Sequence, residues 1–177
     1  MLKTGWNKDI KSVVREFTVF TQEDAFDAFE GAAEDVAKGI IKDTPIGLTP
    51  AEGGTAGRLR YNWQIDRNIN QREFKTRDTG DRSNYVERQV RGRLRGEKRN
   101  GLYTGGVPLY MFNNLPYAPV VEYGGYPFPV KKGTYNKATG MYEIRSNNGY
   151  SKQAPAGMMA INAAQFGAHF KKRYSIL

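Results

Sequence analysis

The 177-residue chain holds one histidine, His169, no cysteine, and a close group of carboxylates at Glu23, Asp24, Asp27 and Glu30. A histidine can serve as a general base, and neighbouring carboxylates can hold Mg²⁺ or cleave a glycosidic bond. Neither has the company such chemistry needs. His169 has no Cys, His or carboxylate at ligand spacing, and beside Phe170 and a basic tail it reads as structural or solvent-facing. The four carboxylates fall on the solvated side of an amphipathic helix. Gly53-Gly54-Thr55-Ala56-Gly57 lacks the Gly-Lys-Ser/Thr ending of a phosphate loop and reads as a joint. Absent cysteine excludes disulfides and thiolate chemistry. No catalytic residue, cofactor or metal is assigned, and the expectation is a protein that is not an enzyme.

The charge is a stronger signal. The net +9 is uneven: residues 1–50 carry six basic against nine acidic side chains, residues 67–99 eleven against five, and residues 100–177 eight against two. Arg88, Arg91, Arg93 and Arg95 dominate the middle block, and arginine favours bidentate pairing with carboxylate or phosphate. Two partners follow: a polyanion such as DNA, contacted without sequence reading, or an acidic protein surface. Only Tyr85 and Tyr103 flank the block, which gives little support to base stacking. The acidic first helix of a neighbouring copy is the preferred complement.

These residues need elements to position them. Phe26, Phe29, Ala33, Val36 and Ile40 recur at helical spacing over residues 21–42, with Thr21 as cap and Asp43-Thr44-Pro45 as stop. Residues 9–20 fit a short helix running into a strand. Residues 45–57 are a glycine-rich loop, and Leu59, Tyr61 and Trp63 alternate as a strand start or an ordered turn. An Arg-rich insert at about 67–106 is expected as a long loop or sheet edge, with weak helical character at 84–94. Val107 to Phe112 fits an edge strand, and Tyr117 to Tyr123 a helical turn or extended stretch. A protruding hairpin is expected within about 126–152, turning at residues 136–140. Pro155 opens a C-terminal helix to about Tyr174, with Met159, Ala163, Phe166 and Phe170 on one stripe. The sum is one α+β domain over residues 1–177: two helices on a small, mostly antiparallel sheet with loop and hairpin extensions. No apolar run is long enough to span a membrane, and the N-terminus lacks an export-signal core.

Two motifs stand apart: Gly57, Leu59, Arg60 and Trp63, then Tyr117-Ala-Pro-Val-Val-Glu-Tyr-Gly124. Each combines a glycine that frees the backbone with aromatic and apolar side chains at fixed offsets. With the long first helix, Thr44-Pro45 and the Pro155-opened helix, their order resembles the tail-completion (head-to-tail joining, or neck) proteins of long-tailed double-stranded-DNA bacteriophages. The chain departs from that pattern in its longer spacing from Pro45 to Gly57, in Ala56 before the glycine, and in the length of the 67–106 insert.

The resemblance implies a homo-oligomeric ring, usually a hexamer, between the head connector and the tail tube. Its partners would be a head-completion or connector protein and a tail-terminator or tail-tube protein, with non-specific contact to genomic double-stranded DNA. It would act in the virion neck after assembly in the host cytoplasm, with no membrane. Arg88, Arg91, Arg93, Arg95, Tyr117, Val121, Glu122, Tyr123, Tyr126, Tyr135 and Tyr142 are the expected interface residues. Gly57, Leu59, Arg60, Trp63 and Gly124 are the expected structural motif. The competing expectation is a basic nucleic-acid-binding accessory protein.

Overall fold

The computed structural model of the protein describes residues 10–54, 56–66, 69, 85, 88–94 and 108–175, with residues 10–20 followed as backbone alone. The architecture is α+β. Helix α1 (Ile10–Asp43) leads through a loop into the single-turn helix α2 (Arg58–Tyr61) and strand β1 (Trp63–Asp66). Residues 88–94 are helical, followed by β2 (Tyr110–Asn113) and α3 (Ala118–Tyr123). Strands β3 (Thr134–Asn136), β4 (Met141–Glu143), β5 (Ser146–Asn147) and β6 (Tyr150–Ser151) precede α4 (Met159–Ala163) and α5 (Phe166–Tyr174).

Helix α1 overturns the expected start at Thr21, because the helix already runs from Ile10 through that residue. Ile10, Val13, Val14 and Phe17 continue the three- and four-residue spacing, and β-branched residues cost a helix only about 0.5 kcal/mol each. The far end stops at Asp43, before Thr44-Pro45, as the proline requires. The helix buries more than one face. Phe26, Ala37, Ile40 and Ile41 enter the core, with Ala33 and Val36 packed against it. Phe29 instead meets Phe166 of α5 edge-on at 5.4 Å. Gly31 lets α5 come close, since a Cβ there would lie 2.6 Å from the Arg173 side chain.

Among the described residues, the strands expected as one small sheet form three separate two-stranded antiparallel ribbons: β1–β2, β3–β4 and β5–β6. In the first, Trp63 faces Asn113 and Ile65 faces Met111. Within 84–94, where weak helical character in a loop or sheet edge was expected, the described residues 88–94 form a helical segment. Val90 is 1% exposed and Leu94 is in the same core, and burying such side chains stabilises by about 1.5–3 kcal/mol each. That burial outweighs the weak local helical signal. The rest of the 67–106 insert, apart from residues 69 and 85, lies outside the described residues, as do Thr55 and Arg95.

The C-terminal helix expected from Pro155 to Tyr174 is two helices, broken after Ala163. Two separate anchors account for the break. In α4, Asn162 is buried, and its amide donates to Asp43 Oδ2 at 2.9 Å and to the Met158 carbonyl at 2.8 Å. In α5, Arg173 grips Asp35 of α1 through two hydrogen bonds of 2.9 and 2.8 Å. No residue of α5 itself is buried.

Candidate interaction surface

The first motif closes the C-terminal end of α1, where helix carbonyls have no partner within the helix. Gly57 holds a positive φ of 75°, and a Cβ there would come 2.4 Å from the Tyr61 ring. This turn starts α2 and aims Arg60 back at α1. Its guanidinium donates to the Thr44 carbonyl at 3.1 and 2.7 Å and to the Lys42 carbonyl at 2.9 Å. A cation at a helix C-terminus also complements the macrodipole. Trp63 is buried, and its indole N–H donates to the Thr44 hydroxyl at 2.7 Å, which in turn donates to the Ile40 carbonyl at 2.6 Å. Leu59 fills the core beside them.

The second motif does the same for the opposite polarity. Val121 and Ala118 of α3 are buried, and between their turns Glu122 points inward. Its carboxylate accepts the backbone N–H groups of Met158, Met159 and Ala160 at 2.7, 2.8 and 3.0 Å. Those are the orphan donors at the start of α4, held by an anion where the helix end is positive. Gly157 makes room: its φ is 78°, and a Cβ would lie 2.5 Å from the Glu122 carbonyl oxygen. Gly124, with φ of 78°, ends α3 and turns the chain so that Gly125 and Tyr126 donate to the Gly149 carbonyl at 2.9 and 3.0 Å.

Several expected interface residues are therefore placed inside the subunit. Val121 and Glu122 are buried, whereas Tyr117 is partly exposed and Tyr123 is 77% exposed. Tyr126 packs against the core, and burial raises its phenol pKa. Arg91 donates to both carboxylate oxygens of Glu34 and lies 3.6 Å from Glu30. Glu34 is only 2% exposed, so this pair ties the 88–94 segment to α1. Arg93 grips Asp66 at the end of β1 with two 2.9 Å hydrogen bonds. The basic-to-acidic pairing expected between copies thus occurs within one copy. Arg88 lies on the exposed start of the same segment.

The hairpin β3–β4 turns through residues 137–140 with Gly140 at φ 69°, and Asn136 belongs to the strand rather than to the loop. It is docked rather than free-standing. Glu52 of the 45–57 loop accepts from Asn136 at 3.1 Å and from Arg145 at 2.8 Å, and Arg145 also donates to Glu143 at 2.7 Å. Hydrogen bonds from Thr49, then from Arg145, hold the Glu52 carboxyl down at about 2. Asn136, then Arg145, lowers Glu143 in the same way. On the outer side Tyr135 and Tyr142 sit opposite each other with ring centres 5.3 Å apart, and the Lys132 ammonium lies 5.0 Å from the Tyr142 ring.

Between that hairpin, α3 and the 45–57 loop runs an open groove of about 1130 Å³. Ile46, Leu48, Tyr117, Phe128, Pro129 and Ile144 give it apolar walls, and Arg58, Lys131, Lys132 and Lys152 stand on its rim. Sequence reasoning did not assemble this groove, because its walls come from loops far apart in the chain. Nor did it find Thr44 and Gly157 as the seats of the two caps. The Pro after Thr44 and the Pro-Ala-Gly run at 155–157 were the available signals.

His169 Nδ1 is 3.5 Å from Asp35, whose carboxyl pKa is lowered chiefly by the Arg173 hydrogen bonds. Among the described residues no group of three or more His, Cys, Asp or Glu is placed to hold a metal ion, and no helix is long and apolar enough to cross a membrane. No family model matches this chain, and no curated protein or solved structure is significantly similar to it.

Proposed function

We propose that this chain is a non-enzymatic structural subunit of a bacteriophage neck, forming a ring that joins the tail to the DNA-filled head. One observation carries the reading: large side chains left exposed gather within a short stretch of chain. Tyr123, Phe128, Tyr135, Met141, Tyr142 and Ile144 are all exposed, Phe128 by 66%. Apolar surface so concentrated is uncommon on a protein that works alone, and it marks surfaces covered in an assembly. A ring needs two different, matching faces on each subunit. With Arg91 and Arg93 paired inside the subunit, the aromatic face rather than the arginine block is the better candidate for one of them. Native mass measurement, with and without a tail-tube protein, tests the reading: a closed ring is expected. A chain that stays monomeric beside every virion component, while turning over a substrate, would overturn it.

A second reading, a basic nucleic-acid-binding accessory protein, is favoured by the exposed Arg58, Lys131, Lys132 and Lys152 on a chain of net charge +9. It requires duplex affinity of the monomer that falls steeply and linearly with the logarithm of salt.

A further inference from the structure

We infer that the groove between the 45–57 loop, α3 and the 126–134 strap is a docking site for an acidic peptide segment of a partner protein, one that alternates carboxylates with large apolar side chains. At about 1130 Å³ it exceeds the roughly 300–1,000 Å³ of small-ligand pockets, and it is an open trough rather than a cavity. Its walls call for apolar anchors. Ile46, Phe128 and Ile144 line it and remain 45%, 66% and 53% exposed, so they hold surface that no part of the described chain covers.

The rim supplies the sign of the partner. Of the charged residues lining the groove, Arg145 is held between Glu143 and Glu52 of the adjoining loop, a cluster that is spent on itself and carries no positive charge to the rim. That leaves Arg58, Lys131, Lys132 and Lys152, all exposed, with no acidic partner among the described residues. Four exposed cations around a largely apolar trough give its rim a positive field. Rim charges of one sign steer and select an oppositely charged segment, while buried apolar anchors give it affinity. A nucleic acid satisfies the rim but only part of the floor: Tyr117 and Phe128 offer faces on which a base can stack, whereas Ile46, Leu48, Pro129 and Ile144 offer nothing to a phosphate backbone. A plain apolar peptide satisfies the floor but not the rim. A segment with both features fits both, in the manner of extended peptides seated in grooves. The groove lies within one subunit and needs no ring, so this site stands or falls apart from the neck assignment.

The test uses the full-length chain and a fluorescein-labelled peptide of alternating Glu and Phe, read by anisotropy. Saturable binding is expected, weakening as salt rises. The double variant Lys131→Glu/Lys132→Glu and, separately, Ile144→Ser should each weaken it by about tenfold or more. All three side chains are exposed, so both variants should keep the parent circular dichroism and melting temperature. Lys–Phe and Glu–Gly peptides should bind at least tenfold more weakly. Equal binding of the Lys–Phe peptide, or no effect of either variant, would overturn the site. So would a labelled single-stranded oligonucleotide that outcompetes the Glu–Phe peptide at the same residues, which would make the groove a nucleic-acid path.

Discussion

The two helix ends closed by the sequence motifs and the surface at residues 123–144 are built from the same residue types, yet they are used in opposite ways. Inside, Trp63 and Glu122 spend their polar atoms on helix ends: one on the Thr44 hydroxyl just after α1, the other on three backbone amides at the start of α4. Outside, Tyr123, Tyr135 and Tyr142 keep large faces in solvent. The interior set fixes where α1, α3 and α4 meet. The exterior set leaves area uncovered on a frame that is already rigid. Pre-ordered surface of this kind costs little to bury, because the ordering entropy has been met by the fold.

Changes on the inner side should therefore cost stability, and changes on the outer side should not. Glu122→Ala should be the most damaging, leaving one buried and two part-buried amides without their acceptor; a loss of about 3 kcal/mol is expected in urea unfolding. A smaller effect, about 2 kcal/mol, is expected for Trp63→Phe, which keeps an aromatic ring but loses the donor to Thr44 and part of the buried indole volume. If Trp63→Phe proved as harmful as Glu122→Ala, packing rather than capping would explain the first motif. The smallest effect concerns acid. The carboxyl of Glu52 sits at about 2 in the fold, below the ordinary carboxylate value, so its contribution is complete above the unfolded pKa and fades as pH falls toward 2. Glu143 is shifted the same way. Hydrogen exchange at Lys137 and Gly140, whose amides donate to the Glu52 and Asn136 carbonyls, should speed up relative to the intrinsic rate of an unprotected amide as pH falls from about 4.5 to 2. In Glu52→Gln that acceleration should shrink.

Much of the frame was legible in the sequence, where local rules decide. The proline after Thr44 ended α1, the glycine at 140 set the hairpin turn, and the aromatic and glycine positions of both motifs marked structured segments. What failed was each element whose state depends on distant partners. The 88–94 segment looks like a charged loop because its two core residues, Val90 and Leu94, are outnumbered by arginines whose carboxylates lie on α1 and β1. The C-terminal helix looks continuous because nothing local reports that Asn162 must reach Asp43 while Arg173 reaches Asp35.

By itself the sequence determined the class of the fold, the C-terminal end of its long helix and the absence of thiol chemistry, since these follow from spacing, backbone geometry and composition. Only the tertiary structure decided which charges are spent and which are offered. Arg91 and Glu122 have the same composition signature as interface residues, yet they are satisfied internally, whereas Lys131 and Lys152 have no acidic partner among the described residues. A charge's role depends on what lies within a few ångströms of it, and that neighbourhood is set by chain segments tens of residues away.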